Sequence, residues 1–431
     1  MARNTQKSIT FSFRVFRAIL IACLLSSPLT ARAQEGDCGR TPYDCALFYV
    51  GRQDLEAAIR YLNQELKQSP HNLKALNLLG IALTGKGQVD EANLQFKKAL
   101  RINPRFYPAL KNLAINELTL YRRAEARQHF EAVLKYVPED AVTHLYLAEI
   151  AFEQKAHVPA IEHYEKGRES IGQNPAFILH YSECLLKEGR EKDSVSILRL
   201  LPESDAESIF QAAVMLGQAG SHAEAARLFG LARNSYHDPY AAGYNQTLML
   251  VRSKDYLAAI LAAKELLKLG HQVAELYNLM SEAYLGAGQL QEAYDALRTA
   301  TQIDPKNEDN YVALASICLD YQNYDLGLEI IDIGLRQISN SDRLYLQRGV
   351  MMVMKGMPAQ GVKDFETANK LAPQKTLPYV ALGIAWMQLG QTPRAVEVLR
   401  ERSKLNRDDF MIPYIFGMAL LRSGVEEGSE D

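Results

Sequence analysis

From Leu73 to Pro104 apolar and polar residues recur with the period of an amphipathic helix, stop, and begin again. Leu76, Leu79 and Leu83 fall at i, i+3 and i+7, on one helical face, with the small Gly80 beside them where a neighbour must come close. Gly87 interrupts the pattern. Ala92, Phe96 and Ala99 then make a second stripe at i, i+4 and i+7, and Pro104 ends it because its ring cannot continue a helix. The stretch predicts two short helices joined by a tight turn. Neither could bury its stripe alone, so the pattern also predicts neighbours.

Counting from Leu73 in steps of 34 finds equivalent units opening at Gly39, Tyr107, Ala141 and Pro175. After one shorter step of 31, a second series opens at Ala206, Tyr240, Ala274, Glu308, Asp342, Thr376 and Phe410. The eighth place is small in every unit, from Ala46 and Gly80 to Gly383 and Gly417. The twentieth is small wherever it occurs, from Ala58 and Ala92 to Gly361 and Ala395. Small residues make up roughly a quarter to a third of an average chain, so two unbroken runs at fixed offsets need a cause. The expected cause is steric: the two helices of a unit cross there. The twenty-fourth place is large (Leu62, Phe96, Phe365, Leu399) except at Ala263, and is expected to fill the gap between units.

Leu76, Leu79, Gly80, Leu83, Ala92, Phe96, Ala99 and Pro104 resemble the marked places of the tetratricopeptide repeat, a helix-turn-helix unit of 34 residues. The departures are Leu76 and Leu83, where that pattern has Trp and Tyr. The resemblance implies an all-α fold, a right-handed superhelical solenoid of about eleven helix pairs plus a C-terminal capping helix. It also implies a concave groove, lined by the second, fifth, sixth, ninth, twelfth and thirteenth places of first helices, that takes peptides, partner helices or tails. Here those places hold Lys74, Asn77, Lys111, Asn112, Tyr244, Asn245 and Asn278 among apolar residues such as Ile81, Ile115, Leu118, Leu248, Val251, Ile384 and Met387. Asparagine amides can donate to and accept from a peptide backbone, while apolar neighbours bury its side chains. The basic carboxylate clamp of chaperone-tail receptors in this family is not assembled in one pair of units.

Residues 1–33 read differently. They carry Arg3, Lys7, Arg14, Arg17 and Arg32, no acidic residue, and the apolar run Ala18 to Leu25. That run is too short to span a bilayer, which takes about 20 residues, and suits a secretory signal cleaved after Ala31-Arg32-Ala33. Leu20-Ile21-Ala22-Cys23 offers a competing reading, a lipobox that would leave Cys23 acylated and the chain tethered. Residues 34–38 are then a linker, 39–205 the first five units, 206–424 the remaining seven, and 425–431 an acidic tail. The signal's five positive charges take the formal net charge from −3 to −8 when removed, which gives no reason to expect nucleic acid. Bacterial export to the periplasm or cell envelope is the expected location.

Cys38 and Cys45 lie seven apart at the entry to the first unit. A disulfide stapling that end and a small core role for Cys45 both fit. Cys184 and Cys318 are expected to be separate buried thiols. The early stop at Leu201-Pro202 before Glu203-Ser204-Asp205 suggests a bend between two sub-arrays, or only a tighter turn. The terminal helix, Phe410 to Arg422, is apolar nearly all round and offers Ile412, Ile415 and Met418 as a contact surface for a partner or a second copy.

Catalytic signatures are missing: the chain has no GxSxG, HExxH, CxxC or phosphate loop. His129 and His163 share the twenty-third place of adjacent units, as a weak surface ladder unsuited to zinc. Glu203, Asp205 and Glu207 read as charges favoured at a helix start. Repeats fill Gly39 to about Gly424 and leave no room for a catalytic domain. The expectation is a non-enzymatic binding scaffold with no cofactor, no metal and no transmembrane segment in the mature chain. A lipid-tethered version of the same scaffold and an enzyme acting from groove residues are the alternatives.

Overall fold

The computed structural model describes residues 38–39, 41–405 and 411–424. The leader with Cys23, most of the linker, and the tail 425–431 lie outside the described residues. These form two compact units that divide between Glu224 and Ala225.

Among the described residues all regular structure is helical. In the first compact unit the first helices of successive repeats are Pro42–Gly51, Leu73–Lys86, Tyr107–Thr119, Ala141–Glu153, Pro175–Lys187 and Ala206–Gln218. Their second helices are Leu55–Gln68, Val89–Ile102, Arg123–Leu134, His157–Lys166 (then a 3-10 turn, Arg168–Gln173) and Glu191–Leu198. His222–Ala232 spans the division. In the second compact unit, first helices Pro239–Arg252, Ala274–Gly286, Glu308–Asp320, Asp342–Met354 and Leu377–Gln388 alternate with Tyr256–Lys268, Leu290–Ile303, Tyr324–Gln337, Pro358–Leu371 and Thr392–Leu405, followed by Met411–Ser423.

The helix starts follow from local chemistry. Asn72, Asp140, Asp205, Asp238 and Ser341 each accept a backbone N–H of the first turn, so a donor that has no intrahelical partner is satisfied. The stops are equally regular. The fifteenth place has positive φ in every helix pair: six times glycine, from Gly87 to Gly390, and five times Gln53, Tyr121, Lys155, Lys254 and Gln322. The next residue's N–H then reaches back to the carbonyl of the eleventh place, as Gln88 does to Leu83 and Ala156 to Ala151. This is the Schellman closure, and it turns the chain into the second helix.

Packing explains the small residues. At the eighth place, a Cβ on Gly80 would lie 2.3 Å from Phe96, and one on Gly349 2.5 Å from Phe365. The large twenty-fourth residue is therefore seated across its own helix pair, a tighter role than filling a gap between units. At the twentieth place, a Cβ on Gly361 would lie 2.7 Å from the Gly349 carbonyl, and Ser194 instead bonds Ser182 at 2.7 Å. The third and tenth places also point inward, as Ala75, Ala109 and Leu344, and Ala82, Cys184 and Met351 show. Asn116 at the tenth place donates to Thr84 (2.9 Å) and Asn93 (2.8 Å), while Oγ1 of Thr143 and Nδ2 of Asn310 at the third place are buried without a hydrogen bond among the described residues.

Candidate functional site

The first helices carry the candidate surface, and most of its polar residues are engaged inside the protein. Lys111 is paired with Asp140 at 2.9 Å, and Asp140 is itself the cap of the next first helix. Burial works to raise the Asp140 pKa, but the Lys111 hydrogen bond and charge outweigh it and hold the carboxyl below its ordinary value. Asn112 donates to Asn77 at 2.9 Å, joining adjacent units. Asn245 donates to the Ala241 carbonyl of its own helix at 2.8 Å. Lys74 is exposed on the first turn of Leu73–Lys86.

Tyr244 and Asn278 are placed differently. Both hold the fifth place, in helices Pro239–Arg252 and Ala274–Gly286, which pack against each other. Tyr240 sits 6.0 Å from Tyr244 and 4.6 Å from His271 by ring centroids, a partly buried aromatic row continued by Leu248. Burial first, then the carboxylates of Glu275 and Glu282, push the Tyr244 phenol above its ordinary pKa. Those two glutamates are exposed. Oδ1 of Asn278 is buried and accepts no hydrogen bond among the described residues. The wall is thus aromatic and aliphatic and rimmed by negative charge, with Asn278 Oδ1 unmet; Gln246 Oε1, on helix Pro239–Arg252, is likewise buried without a hydrogen bond among the described residues.

A second cluster has no counterpart in the sequence reading. Glu149, in the ninth place, accepts from the Tyr164 hydroxyl at 2.5 Å and meets Nδ1 of His180 at 2.9 Å, while Phe152 stacks on His180 at 4.2 Å. Burial pulls the His180 pKa down, but Glu149 outweighs it and raises it. Burial drives the Tyr164 phenol well above its ordinary value, and the Cys184 thiol is pushed up to about 12 for the same reason. Hydroxyl and thiol there hold their protons near neutrality, so the cluster fixes charge without activating a nucleophile. A signal existed: Glu149 and Glu183 occupy a place that is leucine or isoleucine in several other units.

His129 and His163 form no ladder. His129 bonds Glu117 at 2.7 Å, and Nδ1 of His163 meets Nδ1 of His144 at 2.9 Å. The structure joins Cys38 to Cys45, and Cys184 and Cys318 are separately buried. Among the described residues no group of three or more His, Cys, Asp or Glu is placed to hold a metal, and no helix is long and apolar enough to cross a membrane.

The terminal helix is less exposed than its apolar sequence predicts. Ile412 and Ile415 are buried in the local core with Ala419, and only Met418 of the three expected contact residues is exposed. The outward apolar residues are Tyr414, Met418 and Leu421.

Repeated antiparallel helix pairs with small residues at each crossing define a helical-repeat protein. Two tetratricopeptide-repeat family profiles match, one over residues 45–105 and 112–175 and the other over 284–347, and the chain carries tetratricopeptide repeats. Human tetratricopeptide repeat protein 6 is 25% identical over 156 residues, which is 36% of this chain and 28% of that protein. The chain therefore matches little more than a quarter of that relative's length. Among solved structures, yeast Tom70 is similar at 14% identity and a TM-score of 0.37, over 89% of this chain and 88% of that one. YrrB, described as a tetratricopeptide-repeat protein with an unusual peptide-binding site, is similar at 14% identity and a TM-score of 0.34, over 45% of this chain and 95% of that one.

Proposed function

We propose that this protein is an exported, non-enzymatic scaffold of the bacterial cell envelope that binds a partner protein through the first-helix wall around Tyr244 and Asn278. The observation that carries the site is the unmet Asn278 acceptor in the same repeat place as the partly buried Tyr244. A buried amide oxygen without a donor costs about 1–3 kcal/mol, which a partner's N–H recovers once the side chain turns to meet it. Glu275 and Glu282 favour a partner segment that pairs apolar side chains with basic ones. Export is supported by the leader composition and by the Cys38–Cys45 disulfide, since such bonds persist in oxidising compartments.

Crosslinking pull-down from the native envelope tests this reading. The expected result is one partner, stoichiometric with the bait, lost on Tyr244→Ala or Asn278→Ala and kept on Asn245→Ala, whose amide already serves its own helix. A partner indifferent to all three substitutions moves the site elsewhere. Recovery of the chain only from the cytoplasm, with Cys38 and Cys45 reduced, overturns export.

A further inference from the structure

Within each compact unit, first helices are followed by a second helix that packs back on them and covers the eighth place. Glycines there show how close the cover comes: a Cβ would meet Phe96 at 2.3 Å from Gly80, Phe365 at 2.5 Å from Gly349, and Leu399 at 2.8 Å from Gly383. Gly417 holds the same place in Met411–Ser423. No described residue comes within 4 Å of a Cβ built on it, and among the described residues no helix follows. Tyr414, Gly417 and Leu421 fall at i, i+3 and i+7 on one face, on which Tyr414 is 66% and Leu421 86% exposed.

We propose that this open face binds the same face of a second copy of the chain, in an antiparallel pair about a two-fold axis. The helix pairs within the chain specify what fits such a seat. Their second helices offer a small residue and, four places on, a large apolar one: Ala92 and Phe96, Ala126 and Phe130, Gly361 and Phe365, Ala395 and Leu399. Met411–Ser423 carries that same pair itself, Gly417 and Leu421. It is both seat and occupant. A two-fold axis places Leu421 of each copy over Gly417 of the other, and such an isologous contact closes at two copies instead of growing into a fibre. Arg422, near the helix end, is the only charged residue of its thirteen, so no charge within this helix opposes the approach. The partner-binding wall at Tyr244 and Asn278 lies on other helices, so either proposal can fail without the other.

Sedimentation equilibrium of the full chain across a hundredfold concentration range tests the pair. The native chain is expected to reach twice its monomer mass, and Gly417→Leu and Leu421→Glu to stay monomeric at concentrations at least tenfold higher. Among the described residues no atom comes within 4 Å of a Cβ at Gly417, and Leu421 is 86% exposed, so circular dichroism and the thermal midpoint are expected to be unchanged. An equimolar mixture of Gly417→Leu and Leu421→Ala chains is expected to recover a dimer, because the enlarged 417 side chain of one then faces the shortened 421 side chain of the other, which a merely misfolded variant would not do. A native chain that stays monomeric overturns the proposal, as does a dimer indifferent to both substitutions. A chain that pairs only once residues 425–431 are removed would assign the face to its own tail, and also overturns it.

Discussion

The fifteenth place concentrates strain that single substitutions can read. Gln53, Tyr121, Lys155, Lys254 and Gln322 adopt the left-handed conformation that other units give to glycine, at about 1–2 kcal/mol for each residue bearing a Cβ. Replacing Lys155 or Lys254 by glycine relieves that cost and returns part of it through a more flexible unfolded chain. A net gain of about 0.5–1 kcal/mol is expected in urea unfolding, and a loss would contradict the turn geometry. His163 supplies a pH signature. Burial first, then the nearby His144, Lys166 and Arg127, hold its pKa at about 4 against an ordinary 6.5, with Glu131 opposing weakly. The folded state therefore binds fewer protons than the unfolded one. Its contribution is intact above pH 6.5 and declines as the pH falls from there toward 4. Denaturant titrations of the native chain and His163→Gln are expected to converge in pH slope above 6.5 and to diverge below it; parallel curves throughout would show that the His144–His163 contact does not set the charge.

At the scale of elements, the helix pairs were legible because their determinants are local and repeated. Helices do open at Leu73, Tyr107, Ala141, Pro175, Ala206, Ala274, Glu308 and Asp342, the positions a step count reaches. The candidate site was less legible because its polar residues pair across units: Asn112 finds Asn77, Lys111 finds Asp140 and Asn116 finds Thr84, contacts that no local window contains. The terminal helix could have been read better. Most earlier units bury their third and tenth places, and that tendency places Ile412 and Ala419 inside. The N-terminal helix Pro42–Gly51 has a neighbour on one side only among the described residues, so its staple matters more than one in mid-array. Reducing Cys38–Cys45 is expected to cost about 2 kcal/mol locally. Hydrogen exchange should quicken across Pro42–Gly51 and stay unchanged from Leu73 onward; uniform quickening would mean that the staple supports far more than its own helix.

Within each compact unit, helix pairs cover their neighbours, so stability is distributed and no single pair organises the rest. What distinguishes one stretch from another is the side chains its first helices leave for a partner. The wall at Tyr244 and Asn278 is aromatic and acid-rimmed, while the polar residues around Asn77 and Lys111 are already paired. Recognition by that wall is the central claim, and a photo-crosslinking side chain placed in the native envelope tests it most directly. One chain would carry the probe at Tyr244, and a control would carry it at Leu257, an exposed position on a second helix. A discrete adduct with one partner from position 244 and none from 257 is the expected result. An adduct from 257 alone, or none from either, would contradict recognition through the first-helix wall.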